Sequence, residues 1–237
     1  MEKLIYVVWK PPTQSVERFR DRLLGPIAKQ LIAGGTRGLA VSVADELAVP
    51  GLRITPTGEP LTATVSLWLD TALTRASVES VLAGVCARLA GYLALESVPI
   101  VNTTHVPAAG ERIPGLYTVA LLEKPDALTY AEWLRRWQEE HAPVAIETQS
   151  TFLYIQNVLV RPLTADAPPW VAIVEEAFPA AAATDPMVFY NARGSAETLK
   201  AHQQRMMDSC QRFIDFSRFE THPMSAYILQ GAVQEPR

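Results

Sequence analysis

Short runs that are apolar throughout or alternate apolar with polar recur along the whole chain. They are IYVVW (5–9), LAVSV (39–43), TATVSLWL (62–69), YLALESVPIV (92–101), GLYTVALLEK (115–124), FLYIQNVLV (152–160), PWVAIVEEAF (169–178) and MSAYIL (224–229). Their β-branched and aromatic content and period of two predict strands. Helical spacing appears between them: after Ser15, over SVESVLAGVCARLAG (77–91), from Thr129 onward, and over SAETLKAHQQRMMDSCQRFIDF (195–216). Thr129 with Glu132 three residues on forms a capping box, since each side chain satisfies a backbone amide the first helical turn leaves free. In the last helix Leu199, Met206, Cys210 and Phe213 share a face.

The pattern occurs twice. LIYVVWKPP (4–12) corresponds to TVALLEKPD (118–126) at an offset of 114, and the same offset sets Ser15 on Thr129, Phe19 on Trp133, Leu23 on Trp137 and Val41 on Ile155. Lys10, Pro11, Arg22, Ala28, Ile32 and Leu39 recur identically. Each half reads β-α-β-β-α-β, the ferredoxin-like order. The expected fold class is α+β, with repeats over 1–101 and 115–237 joined by a Pro- and Gly-bearing connector at 102–114. A lone repeat leaves one sheet face bare, so the two are expected to pack sheet to sheet as a pseudo-dimeric α+β barrel.

Composition narrows the function classes. With 237 residues, 49% of them hydrophobic and 19% charged, the chain can fill a large core. A net charge of −4 lacks the clustered lysine and arginine of a nucleic-acid binder. No apolar run reaches the length of a membrane span. MEKLIYVVWK reads as a strand rather than a signal peptide, so the cytoplasm is the expected compartment and the Asn102 sequon is discounted. Cys86 and Cys210 form no metal or redox motif. Phosphate-loop, dinucleotide and nucleophile-elbow motifs are absent, as is paired-histidine metal spacing.

Within LTYAEWLRRWQEEHAP (128–143), Trp133, Trp137 and His141 fall four apart on one helix face. An imidazole titrates near neutrality and can pass a proton, although a histidine at a helix end also suits the helix dipole. Pro143 predicts a kink or stop just beyond. On the following strand, alternation sets Leu153, Ile155 and Asn157 on one face and Tyr154 and Gln156 on the other. Of Glu175 and Glu176, one must point inward if the strand stays regular, the alternative being that the strand ends there. The two tryptophans read as core or as a pocket wall able to stack on a flat ligand. His202 flanks a helix, His105 lies in the connector and His222 in a loop.

The run Leu128 to Pro143, followed by Tyr154 and Asn157, resembles the EthD family of the dimeric α+β barrel superfamily. It covers residues 115–229 well, and residues 3–101 match only through the internal repeat. In the first half Ile27, Ala40 and Val43 stand where His141, Tyr154 and Asn157 stand in the second. The resemblance therefore implies one site and one degenerate half. The wider superfamily includes isomerases, cofactor-free monooxygenases and heme enzymes, so the fold does not choose a reaction. The leading expectation is a cofactor-independent acid–base enzyme (isomerase, dehydratase or decarboxylase) acting on a small apolar, cyclic or aromatic metabolite. His141 would be catalytic, and Asn157, Tyr154, Trp133, Trp137 and Glu175 would contact substrate, with no metal. The alternatives are a non-catalytic binding protein and a heme or flavin protein with His141 as axial ligand. Expected partners are a small molecule and, as an oligomer, a homodimer, with neither nucleic acid nor membrane.

Overall fold

The computed structural model describes residues 1–49, 51, 53–55 and 60–232; the far end of the expected second half, residues 233–237, lies outside them. Strand β1 (Glu2–Trp9) leads into α1 (Val16–Arg22), whose Ser15 cap accepts from the Arg18 amide. A π-helical turn (Leu23–Ile27) carries the chain into α2 (Ala28–Ala33). Then come β2 (Gly38–Val43), β3 (Ala63–Leu69), α3 (Ala76–Ala83) and β4 (Arg88–Ile100). The second half runs β5 (Leu116–Leu122), α4 (Tyr130–Arg135), a π-helical turn (Arg136–His141), α5 (Ala142–Thr148), β6 (Leu153–Pro162) and β7 (Ala172–Phe178). A short α6 (Pro186–Phe189), the long α7 (Ala196–Cys210) and β8 (Glu220–Gln230) complete it. The capping box at Thr129 and Glu132 is formed on both sides.

All eight strands join in one closed barrel in the order β1-β3-β2-β8-β5-β7-β6-β4, with every pairing antiparallel. The four strands of each half form one arc, β4-β1-β3-β2 and β8-β5-β7-β6. Seams at β2/β8 and β4/β6 close the ring and leave no unpaired edge. Along every strand, alternate residues face the barrel interior and the helix-covered exterior. Ile5, Val7, Trp9, Tyr92, Leu121 and Ile173 pack inside. Outside, Phe19, Leu23, Leu31, Val78 and Leu82 fill the space under the first half's helices, while Trp133, Trp137, Tyr154 and Phe213 build the second layer.

Several boundaries differ from those the sequence predicts. The helix expected over 77–91 ends at Ala83, where the Gly84 amide bonds to Ser80 and Leu82 carbonyls. Arg88 already pairs with Trp9, so cross-strand pairing overrides a helical pattern that Ala and Leu fit equally well. The last helix stops at Cys210 rather than 216. His222 is not in a loop: β8 begins at Glu220, and the imidazole is sealed with Nε2 3.0 Å from Glu220 Oε2.

Gly115 enters β5 at φ 93°, and a Cβ there would stand 2.1 Å from the Phe178 carbonyl oxygen. Gly115→Ala is expected to destabilise the fold by about 2–4 kcal/mol, from left-handed backbone strain plus a backbone collision. Urea unfolding compared with wild type checks it, with Gly110→Ala, which has open space around it, as the control for strain alone.

Candidate active site

His141 owes its position to the π-helical turn. Pro143 lacks an amide proton and cannot continue the ordinary helical ladder. The helix neither stops nor breaks there, because the ladder widens by one residue and the Ala142 amide bonds to the Trp137 carbonyl five residues back. The first half makes the equivalent bond at the same offset of 114, from the Ala28 amide to the Leu23 carbonyl. Such single wide turns are common at functional sites. In the first half the last residue of the turn is Ile27, sunk in core. In the second it is His141, which lines a cavity.

That cavity, of about 260 Å³, lies between the second arc of the barrel and the helices. Trp137, His141, Tyr154, Glu176, Met206 and Cys210 contribute to its wall. It exists because α7 buries none of its residues fully and spans the layer without filling it, whereas α3 drives Val78 and Leu82 into the first half. His141 Nδ1 is 3.0 Å from Ser209 Oγ and its ring packs at 4.6 Å against Phe213, and Nε2 has no hydrogen-bond partner among the described residues. Burial lowers its pKa to about 4, so at neutral pH it is an uncharged imidazole. Glu176 faces the same cavity from β7. The residue is partly buried, no hydrogen bond or ion pair reaches its carboxyl among the described residues, and desolvation pushes its pKa up to about 7. Tyr154 and Cys210 lie close enough for the Glu176 charge to raise both pKa values further, after burial, which is the larger cause; the Cys210 thiol stands at about 12. Gln156 donates to the Tyr154 hydroxyl at 2.9 Å and orients it.

The residues singled out in the sequence are thus divided between two compartments. His141, Tyr154 and Trp137 share the helix-layer cavity. Asn157 and Glu175 do not reach it, because their positions in β6 and β7 point into the barrel. Asn157 Nδ2 donates to the Ile173 carbonyl at 3.1 Å and to Glu175 Oε1 at 3.0 Å, so its amide braces the wall. Trp133 is fully buried behind Trp137, ring centroids 5.2 Å apart, and forms core rather than cavity wall. Glu176 is the carboxylate on the His141 side. The doublet Glu175-Glu176 was visible in the sequence, but which member faced the histidine depended on strand phase. Ser209 and Cys210 carried no local signal.

No group of three or more His, Cys, Asp or Glu able to hold a metal is present among the described residues. Heme does not fit the residues present: the cavity is smaller than the roughly 300–1,000 Å³ of sites for drug-sized ligands, well short of a tetrapyrrole, and His141 is wedged between Ser209 and Phe213.

The fold is that of an α+β barrel protein. The chain is similar over its full length to an anthrone oxidase-like protein, at 8% identity, with 96% of that chain covered and a TM-score of 0.54. Two further structures are a candidate monooxygenase from Lactobacillus acidophilus NCFM (10% identity, 97% and 96% covered, TM-score 0.48) and a dye-decolorizing peroxidase from Bacteroides thetaiotaomicron (10%, 98% and 93%, 0.45). At these identities the likeness concerns the fold. The EthD resemblance is shown over residues 125–217, which the family model of the EthD domain matches; this segment carries His141, Tyr154, Glu176 and Cys210. A comparison with curated proteins finds no match. No helix among the described residues is long and apolar enough to cross a membrane.

The two buried groups set opposing pH dependences. Glu176, raised from 4.5 to about 7, contributes stability that is complete below pH 4.5 and lost as pH rises through 7. His141, lowered from 6.5 to about 4, contributes stability that is complete above pH 6.5 and lost as pH falls through 4. Each masks the other in the wild type. Glu176→Gln is expected to gain stability between pH 4 and 6.5, and His141→Asn to lose it between pH 4.5 and 7, by roughly 2–4 kcal/mol each. Urea unfolding across that range reads both slopes, and parallel curves for the two variants would contradict the assignment.

Proposed function

We propose that the chain is a cofactor-independent acid–base enzyme whose helix-layer cavity takes a small, largely apolar molecule of one or two rings. Its chemistry is proton transfer at carbon or oxygen, as in isomerisation, dehydration or decarboxylation. The observation that carries this reading is Glu176. A carboxyl with a pKa near 7 exchanges a proton at neutral pH with little driving force in either direction, which is the condition for effective general acid–base catalysis. Opposite it, uncharged His141 can donate or accept a hydrogen bond through Nε2 without introducing a net charge. Two titratable groups with pKa values pushed apart in one cavity support separate acid and base roles. Trp137, Met206 and Phe213 provide the apolar contact, and the Tyr154 hydroxyl, kept protonated by burial, supplies a donor for a developing oxyanion.

The halves are read as two ferredoxin-like units, residues 1–101 and 115–237, joined in tandem by 102–114. The offset of 114, the matching arcs and the matching π turns support this, with the first unit structural and the second carrying the site. Homodimerisation is part of the proposal as well: Leu95 and Val160, exposed on the outer face of the β4/β6 seam, offer a surface, and a solution mass of one chain by light scattering would remove it.

The activity is tested with ring ketones such as β-tetralone in D₂O, following loss of the α-proton signal by NMR. Wild type is expected to exchange faster than buffer, and Glu176→Gln and His141→Ala each to lose about 10²–10⁴ of the enhancement while remaining folded. Exchange at buffer rate across the ketone panel, or unchanged exchange in both variants, would overturn the reading.

A further inference from the structure

An eight-stranded barrel has an interior that side chains just fill or that holds one small ligand. This one does both. At one end Trp9, Tyr92, Leu121, Trp170 and Ile173 pack the interior solid. At the other, the inward positions of β2, β3 and β8 carry small residues, Ala40, Ser42, Ser66 and Ala226, and a cavity of about 250 Å³ opens between them and β7. It is separate from the His141 cavity, since the sheet lies between the two.

Its polar floor is charged. Lys3 Nζ is 2.5 Å from Glu96 Oε2 and 3.5 Å from Glu175 Oε1, and it lies 4.9 Å from the centre of the Trp68 ring. The Tyr117 hydroxyl donates to Glu175 Oε2 at 2.6 Å, and Asn157 holds Oε1. Lys3 and Glu175 are buried. Removing such groups from water is costly, and apolar residues of similar volume would stabilise a barrel core at least as well. Val98, Leu153, Ile155 and Ile228 make most of the rest of the wall apolar, with Asn102 and Gln230 as its further polar members.

We infer that the barrel interior is a second binding site, for a small organic cation with an apolar body. The charge balance selects the cation: among the described cavity-lining residues two carboxylates face one ammonium, an excess of one acidic group. Glu175 has both oxygens bonded, whereas Glu96 Oε1 has no partner among the described residues and Glu96, which lines the cavity, stays partly exposed. An ammonium group pairs there, with the body against Ile155, Ile228 and the Trp68 indole. The volume suits a single ring on a short chain.

The experiment titrates the whole protein with phenethylamine, using phenethyl alcohol and hydrocinnamate as neutral and anionic counterparts, by calorimetry and tryptophan fluorescence. Phenethylamine is expected to bind with Kd of about 1 mM or tighter, and each counterpart at least about tenfold more weakly. Glu96→Gln should weaken the amine about tenfold. Ser66→Leu and Ala40→Leu, which fill the cavity from two different strands, should abolish binding, and His141→Ala should leave it unchanged. Hydrocinnamate binding as tightly as the amine, amine binding that survives whichever filling variant folds, or no heat with folded wild type at about 10 mM would each overturn the site. His141→Ala separates this outcome from any failure of the proposed activity.

Discussion

Closure of the sheet is the constraint on which everything else in this molecule rests. A closed eight-stranded barrel has two surfaces and no edge, so each strand residue belongs either to the interior or to the helix-covered outside. Neighbours in sequence are therefore assigned to different chemical environments. Glu175 and Glu176 share a peptide bond, yet one is tied to Tyr117, Asn157 and Lys3 inside the barrel while the other has no partner among the described residues and faces the cavity outside it. The paired carboxylate is held by its hydrogen bonds. The unpaired one meets desolvation alone, and its pKa rises to about 7.

The outer cavity follows from a difference in how the two halves are covered. Both use the same turn chemistry, with a serine or threonine cap and one π-helical bond at an equivalent place. In the first half Phe19, Leu23, Leu31 and Leu82 complete the packing and leave Ile27 in core. In the second, α7 crosses above the layer with only partly buried side chains, and the space beneath it remains open. One half carries the stability expected of well-packed aliphatic side chains. The other gives up some packing and keeps two titratable groups partly shielded from water at the wall of a cavity, His141 uncharged at neutral pH and Glu176 exchanging its proton near pH 7.

The inner cavity has a parallel origin. Small side chains on β2, β3 and β8 leave room that large residues on the same barrel fill at the other end. Charge gathers there because Lys3, Glu96 and Glu175, distant in sequence, all fall on inward positions of adjoining or facing strands.

The sequence by itself determined the strands, the capped helix at Thr129, the internal offset and the singular histidine at 141, because these rest on local periodicity, local capping and comparison of one half with the other. It also set Tyr154 and Asn157 on opposite faces, since strand alternation is local. Only the tertiary structure decided that the two long helical patterns end early, at Ala83 and Cys210, the first because Arg88 pairs with Trp9 in the sheet. Only it decided that Glu176 rather than Glu175 joins His141, that Trp133 is core, and that Asn157 braces the barrel wall. The phase of β7 is fixed by its register with β5 and β6, set across the sheet rather than along the strand, and no local pattern carries that information.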